Sequence, residues 1–223
     1  MQQFLDADDR VKEILQLAND RGLPFLEAPR TELDRNTDGA VHQGVALRIP
    51  PYSYLDPIDL LEDAFNNDEA AFVVALDGVT DPRNLGAVIR SSAAFGVDGV
   101  LVPERRAAGM TASAWKSSAG AATRVPVSRA INLTRSLVEF KRAGCTIIGL
   151  DSDGDTFVQD VSQEIAAGPI VLVVGGEATG MSRLVRDTCD MVVSIPMFDE
   201  TESLNAGVAA GIALYELAKI RHP

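Results

Sequence analysis

One stretch restricts the fold more than any other. Residues 169–176 read Pro-Ile-Val-Leu-Val-Val-Gly-Gly, an almost wholly apolar run closed by two glycines. A strand without polar alternation fits a parallel sheet covered on both faces. Similar runs recur at 71–79 (AFVVALDGV), 98–103 (DGVLVP), 124–127 (RVPV), 146–151 (TIIGLD) and 191–196 (MVVSIP). Helical segments separate them. Asp81 and Pro82 are suited to the N-cap and first turn of a helix over 83–95, which Gly96 closes. Further helices are predicted around 110–119, over 131–143, at SRLVRDT (182–188) and over 203–220. Strands alternating with helices imply an α/β fold with a mainly parallel sheet and helices on both faces.

The part before this alternation reads differently. A helix is predicted over 1–22, ended by Gly22 and Pro24. Short strands follow at 24–28 (PFLEA) and 45–49 (VALRI), with a helical turn over 30–39 between them. Pro50, Pro51 and Pro57 mark a linker running into a short helix. The boundary is placed near residue 65, giving a small α/β domain with linker (1–65) and a larger domain (66–223).

Composition narrows the class. Hydrophobic residues make up 46% and charged residues 23%, which excludes disorder and collagen. No apolar run reaches the roughly 20 residues of a membrane span, and the acidic start MQQFLDADDR lacks a signal-peptide core. With Cys145 and Cys189 read as reduced, buried thiols, the expectation is a cytoplasmic protein. The net charge of -12 argues against a generic nucleic-acid binder. Residues 83–142 nevertheless hold ten Lys/Arg against three acids. That segment is either a solvated face or a surface that meets phosphate.

Several site patterns are missing: no P-loop, no G-x-S-x-G, no dinucleotide loop and no Cys/His metal cluster. No metal is therefore expected, and His42 and His222 are too far apart in sequence to suggest a shared site. Three polar clusters fall at predicted strand ends, where such sheets bind ligands. The first runs from Asp81 to Arg90 and contains Asn84 and Gly86. Gly86 lies one turn before Arg90 and is expected to leave open space beside its guanidinium, which can fork onto phosphate or carboxylate. An ordinary surface arginine is the alternative. The second is Gly175-Gly176-Glu177-Ala178-Thr179-Gly180, whose glycines permit close backbone approach to a ligand or simply a tight turn. The third joins Ile195-Pro196-Met197, the acidic loop Phe198–Glu202 and Ser203-Leu204-Asn205. Ser203 there either caps the last helix or helps Asn205 orient a substrate.

Singly these clusters are weak, but together, in this order, they are specific. The set resembles the three motifs of the SpoU (TrmH) family of RNA ribose 2′-O-methyltransferases, within the SPOUT superfamily, over residues 72–221. Residues 117–133 (SSAGAATRVPVSRAINL) are similar to the family's segment between the first two motifs. Residues 39–49 (GAVHQGVALRI) resemble the end of a small ribosomal-protein-like, RNA-substrate-binding domain. The similarity is greatest to the branch acting on a guanosine of bacterial 23S rRNA.

The resemblance implies a C-terminal trefoil knot whose loops hold S-adenosylmethionine. Cofactor contacts then fall on Gly175, Gly176, Gly180, Ile195, Met197 and Leu204. The catalytic set becomes Arg90, Asn84, Glu177, Ser203 and Asn205. It also implies an RNA substrate, 23S rRNA above all, and a homodimer with the last helix at the interface. Leu204, Val208, Ile212 and Tyr215 form an apolar stripe on that helix, and Gly207, Ala209, Gly211 and Ala213 permit close helix packing.

Three departures stand out. Gly207 stands where the family usually has a second serine, Phe198-Asp199-Glu200 replaces a small glycine-containing loop, and the N-terminal domain reads as truncated, since such a domain normally opens with a strand, a helix and a strand ahead of a helix like 8–21. Two other assignments compete: a tRNA or antibiotic-resistance rRNA enzyme of the same family, and a non-catalytic RNA-binding or ribosome-assembly factor.

Overall fold

The computed structural model describes residues 1–2, 8–37, 39–67, 70–177, 179–198 and 203–221. The chain forms two compact units, Met1–Pro51 and Tyr52–Pro223.

In the first unit, Asp8 caps helix α1 (Asp9–Asp20), its carboxylate accepting from the Val11 N–H at 2.9 Å. Helix α2 (Arg30–Asn36) follows. The helix expected over 1–22 is thus shorter at both ends. Gln2 is instead bridged to Ala28, and residues 3–7 lie outside the described residues. Neither predicted strand forms. Among the described residues, 24–28 contribute only that bridge and 45–49 form no strand; Leu47 and Ile49 are exposed.

The second unit starts earlier than expected. Helix α3 (Pro57–Asn67) buries Leu60, Leu61 and Ala64 in the core of this unit, so the division falls after Pro51 rather than near 65. The elements that follow are β1 (Phe72–Asp77), α4 (Pro82–Ala94), β2 (Gly99–Pro103), α5 (Ala112–Ser117), β3 (Val127–Ala130), α6 (Leu133–Arg142) and β4 (Thr146–Leu150). Then come β5 (Thr156–Phe157), α7 (Gln163–Ala167), β6 (Ile170–Gly175), α8 (Arg183–Arg186), β7 (Met191–Ser194) and α9 (Ala206–Arg221). The seven strands form one parallel sheet in the order β3-β2-β1-β6-β4-β7-β5.

Strand alternation divides the core in two. Phe72, Val74 and Leu76 of β1 face one layer, with Leu85, Val88 and Ile89 of α4 and Ala210, Ala213 and Leu214 of α9. Val73 and Ala75 face the other, with α3, Leu137 and Phe140 of α6, and Val185 of α8. Both faces of the central strands are dry, which is why residues 170–174 carry no polar side chain.

Three local expectations need correction. The strand read at 124–127 forms instead at 127–130. A 3-10 turn at Ala121–Thr123 holds the preceding residues, and Pro126 has no N–H to donate to the ladder. The short β5 and α7 lie in a polar stretch whose periodicity gave no signal. The last helix begins at Ala206, not 203. Cys145 is buried and Cys189 half-buried. Both are free thiols, pushed up to about 11 by desolvation.

Candidate functional site at the strand ends

Because the strands are parallel, the loops after β1, β6 and β7 all leave the sheet at one end. β1 and β6 are neighbours, yet β1 continues into α4 on one face and β6 into α8 on the other. Divergence of this kind opens a crevice at the carboxyl ends of the strands.

Asp77, at the end of β1, ties the loop after β6 into that crevice. Its carboxylate accepts from the Ser182 N–H at 2.6 Å, and its carbonyl accepts from the Gly176 N–H at 2.8 Å. The Gly180 N–H closes the loop on the Gly176 carbonyl at 2.8 Å. A Cβ at Gly175 would lie 2.5 Å from the Met181 nitrogen, and one at Gly176 would overlap the Gly78 carbonyl. The close approach these glycines allow is therefore, in the first place, to the chain's own backbone. A charged residue closing an apolar strand was the signal that would have singled out Asp77.

The three polar clusters meet at Glu177. Its Oε1 accepts from Asn84 Nδ2 at 2.7 Å, from Asn205 Nδ2, and from the Ala206 N–H at 3.2 Å. Asn205 Nδ2 also donates to Asn84 Oδ1 at 3.0 Å. Asn205 Oδ1 accepts from the N–H groups of Gly207 (3.0 Å) and Val208 (3.2 Å), so it caps α9. One carboxylate thus joins the starts of α4 and α9 to the loop after β6, across 93 and 28 residues of sequence.

Other expected site residues are placed differently. Ser203 is exposed and makes no hydrogen bond among the described residues, so the capping expected of it falls to Asn205. Ile195 and Leu204 are half-buried, and Met197 is partly exposed beyond the end of β7. Arg90 is exposed on α4. It stands six residues beyond Asn84, roughly 240° around the helix, and the structure does not join it to the Glu177 cluster.

The open space expected beside Arg90 at Gly86 does not exist. Gly86 is buried against α5, where a Cβ would overlap the Ala114 carbonyl and come within 2.7 Å of Ser117 Cβ. The small residues of α9 are likewise engaged within the chain. Gly207 faces Ala87 and Gly211 faces Ser91, with room for a Cβ only at 3.1 and 3.3 Å. What α9 leaves exposed is Val208, Ile212 and Tyr215. Ala178, residues 199–202 and His222 lie outside the described residues, and with them most of the acidic loop expected at 198–202. Among the described residues, no group of three or more His, Cys, Asp or Glu is placed to hold a metal ion. Among the described residues, no helix is long and apolar enough to cross a membrane.

Comparison with known proteins agrees with this arrangement. The model of the SpoU rRNA Methylase family matches residues 71–215. A second model, RNA 2′-O ribose methyltransferase substrate binding, matches residues 2–55. A Mycolicibacterium vanbaalenii protein described as an uncharacterized tRNA/rRNA methyltransferase is 56% identical over 216 residues, which cover 97% of this chain and 68% of that protein. The crystal structure of the SpoU methyltransferase AviRb from Streptomyces viridochromogenes, in complex with AdoMet, superposes with a TM-score of 0.73. It is 26% identical, covering 99% of this chain and 81% of its own. The A. aeolicus TrmH/SpoU tRNA modifying enzyme is 28% identical with a TM-score of 0.61, covering 74% of this chain and 82% of its own. A polar cluster built from three separate loops, two matching family models and this shared parallel sheet lead to one assignment: the chain belongs to the SpoU rRNA methylase family.

Proposed function

We propose that the protein methylates a ribose 2′-hydroxyl of RNA, using S-adenosylmethionine, and that its target is a guanosine of bacterial 23S rRNA. The observation that carries this reading is the meeting of Asn84, Glu177 and Asn205 where the loops after β1, β6 and β7 converge.

The residues fit such a cofactor. The backbone groups of Met197 and Leu204 make no hydrogen bond among the described residues, and the half-buried Ile195 adds an apolar wall beside them. Gly175, Gly176 and Gly180 shape the facing loop. When bound there, S-adenosylmethionine supplies an electrophilic methyl group. Glu177, Asn84 and Asn205 hold the loops in register. Arg90 grips a phosphate beside the target ribose and stabilises the alkoxide developing at its 2′-oxygen. The hydroxyl proton leaves to that phosphate or to water, because a guanidinium has donors and no acceptor.

Arg90 faces outward, which suits a homodimer whose site is shared between chains. The exposed Val208, Ile212 and Tyr215 of α9 provide the apolar face for a second copy. The trefoil knot belongs to the same proposal. In its support, α9 returns from β7 across the sheet to pack on α4, next to the loop after β6. The small N-terminal unit selects the RNA, and the protein works in the cytoplasm.

Mass mapping of methylated riboses in 23S rRNA, with and without the protein, tests the reading. One guanosine should lose its methyl group when the protein is absent. Methylation of tRNA instead, in parallel assays on separated RNAs, would move the assignment within the family. Absence of heat on titrating S-adenosylmethionine would favour a non-catalytic RNA-binding or assembly factor. Light scattering should give a dimer of the 23.8 kDa chain.

A further inference from the structure

An arginine pair lies beside the site, on the loop between β2 and α5. Arg105 and Arg106 are both exposed, and Arg106 has a φ of 59°, a left-handed conformation that an L side chain resists. Its neighbours hold it there. The Glu104 N–H donates to the Ala130 carbonyl at 2.8 Å on one side. The Ala108 N–H donates to the Val79 carbonyl at 2.8 Å on the other. Two residues on, the Met110 N–H donates to the Tyr54 hydroxyl at 2.7 Å.

The support beneath this arch is aromatic. The Arg129 guanidinium stacks 3.6 Å from the Tyr54 ring centroid, and Tyr54 packs edge-on against Tyr52 at 5.0 Å. A Cβ at Gly109 would lie 3.2 Å from the Tyr54 hydroxyl and 3.3 Å from Arg129 Nη2. Only residues 105–107 stand free of these pins, so the arch presents two guanidinium groups on a stiff base.

Three observations point to phosphate. Among the described residues, the ion pairs of this unit use Arg135, Lys141, Arg183, Arg186 and Lys219, and neither arch arginine is among them. Glu104 is the one acid in the arch itself, and among the described residues its carboxylate forms no ion pair with either arginine. The arch also joins the site directly. Val79, which holds Ala108, follows Gly78, and the Gly78 carbonyl is packed against Gly176, next to Glu177.

We infer that Arg105 and Arg106 form a phosphate clamp that holds the RNA strand next to the methylated nucleotide. This rests on the proposed RNA methyltransfer. The chemistry is that of forked guanidinium contacts to a polyanion, which fix register and carry no base specificity. A target ribose can be aligned for transfer only if its neighbours are held, and a rigid arch beside the crevice does that at small entropic cost.

The test uses the purified protein with transcribed 23S rRNA and with a short single-stranded oligoribonucleotide. In Arg105→Ala/Arg106→Ala, the KM for RNA should rise about tenfold or more, while the S-adenosylmethionine affinity stays at the wild-type value. The slope of log affinity against log salt should fall by about 1.4–1.8, from roughly 0.7–0.9 per phosphate contact. Arg105→Lys/Arg106→Lys should keep most of that slope, since the charges remain. Arg106→Gly separates a structural role from a binding one. It relieves the left-handed residue, so the thermal midpoint should rise while RNA affinity drops. If the wild type methylates RNA and the alanine pair shows the same KM and salt slope, the clamp is wrong. Equal RNA affinity in Arg106→Gly would overturn it as well. If the wild type neither binds nor methylates RNA, the proposed function falls and the clamp with it.

Discussion

Asn84 and Arg90 stand six residues apart on α4, in surroundings that could hardly differ more. Asn84 is 8% exposed, with Nδ2 donating to Glu177 and Oδ1 accepting from Asn205. Arg90 faces solvent and forms no ion pair among the described residues. The same contrast divides the whole strand-end region. Asp77, Glu177, Asn205 and the glycines of 175–180 bond to or pack on the chain itself. Arg90, Arg105 and Arg106 reach outward. Groups satisfied within the chain hold loops in place, because an unpaired buried donor or acceptor is costly to leave. Groups left outward are available to a substrate, and here they carry the charge that RNA requires.

Substitutions can break this comparison from either side. The largest effect is expected at the glycines. In Gly175→Trp the side chain must enter space already taken by Gly180 and Met181. Binding of S-adenosylmethionine should be lost in calorimetry. Overpacking of about 1–3 kcal/mol should lower the thermal midpoint by several degrees. Binding at the wild-type level would show that this loop does not shape the cofactor site.

On the outward side, Arg90→Ala should leave folding and cofactor affinity intact. The single-turnover methyl-transfer rate should fall about 100-fold or more, the scale of losing one preorganised electrostatic group. Arg90→Lys should recover little, since a point charge does not reproduce the forked contact. A twofold change or less on any RNA would make Arg90 an ordinary surface residue and remove the contrast.

A smaller effect is expected for Glu177→Ala, which strands the Asn84 and Asn205 amides and the Ala206 N–H. Glu177 is itself exposed, so water replaces part of what is lost. The cost should be about 1 kcal/mol, at the low end for unsatisfied groups, or a few degrees of thermal midpoint. Glu177→Gln keeps one acceptor and should cost less. An unchanged midpoint in Glu177→Ala would mean that the loops are held by packing alone.

The smallest effect sharpens the comparison inside one motif. Ser203→Ala should stay within about 0.5 kcal/mol of wild type in chemical denaturation. Asn205→Ala, two residues on, should cost about 1 kcal/mol through the lost cap of α9. Equal losses at the two positions would restore Ser203 as the residue that opens the helix.

Much of the second unit was legible from local rules. The unbroken apolar run 170–174 specified a strand covered on both faces. Asp81 and Pro82 marked the start of α4, where the Asp81 carboxylate accepts from the Arg83 N–H at 2.8 Å. The residue order of the three polar clusters was enough to identify the family. The first unit was less legible. PFLEA and VALRI have strand-like patterns, yet among the described residues neither forms a strand, because a pattern becomes a strand only through pairing and packing that no local signal supplies.

The sequence by itself determined most of the helices and strands of the second unit, β5 and α7 excepted, because side-chain periodicity and capping act within a few residues. Tertiary structure decided what stands opposite each face. Gly86 looked like open space beside Arg90 and proved to be the seat of α5. Gly207 and Gly211 looked free for a partner and proved to be where α9 rests on α4. Asn84, Glu177 and Asn205 meet only because β1 and β6 are neighbours in a sheet whose strand order differs from chain order. No local signal encodes that order. It follows from how all seven strands and their covering helices bury their apolar faces together.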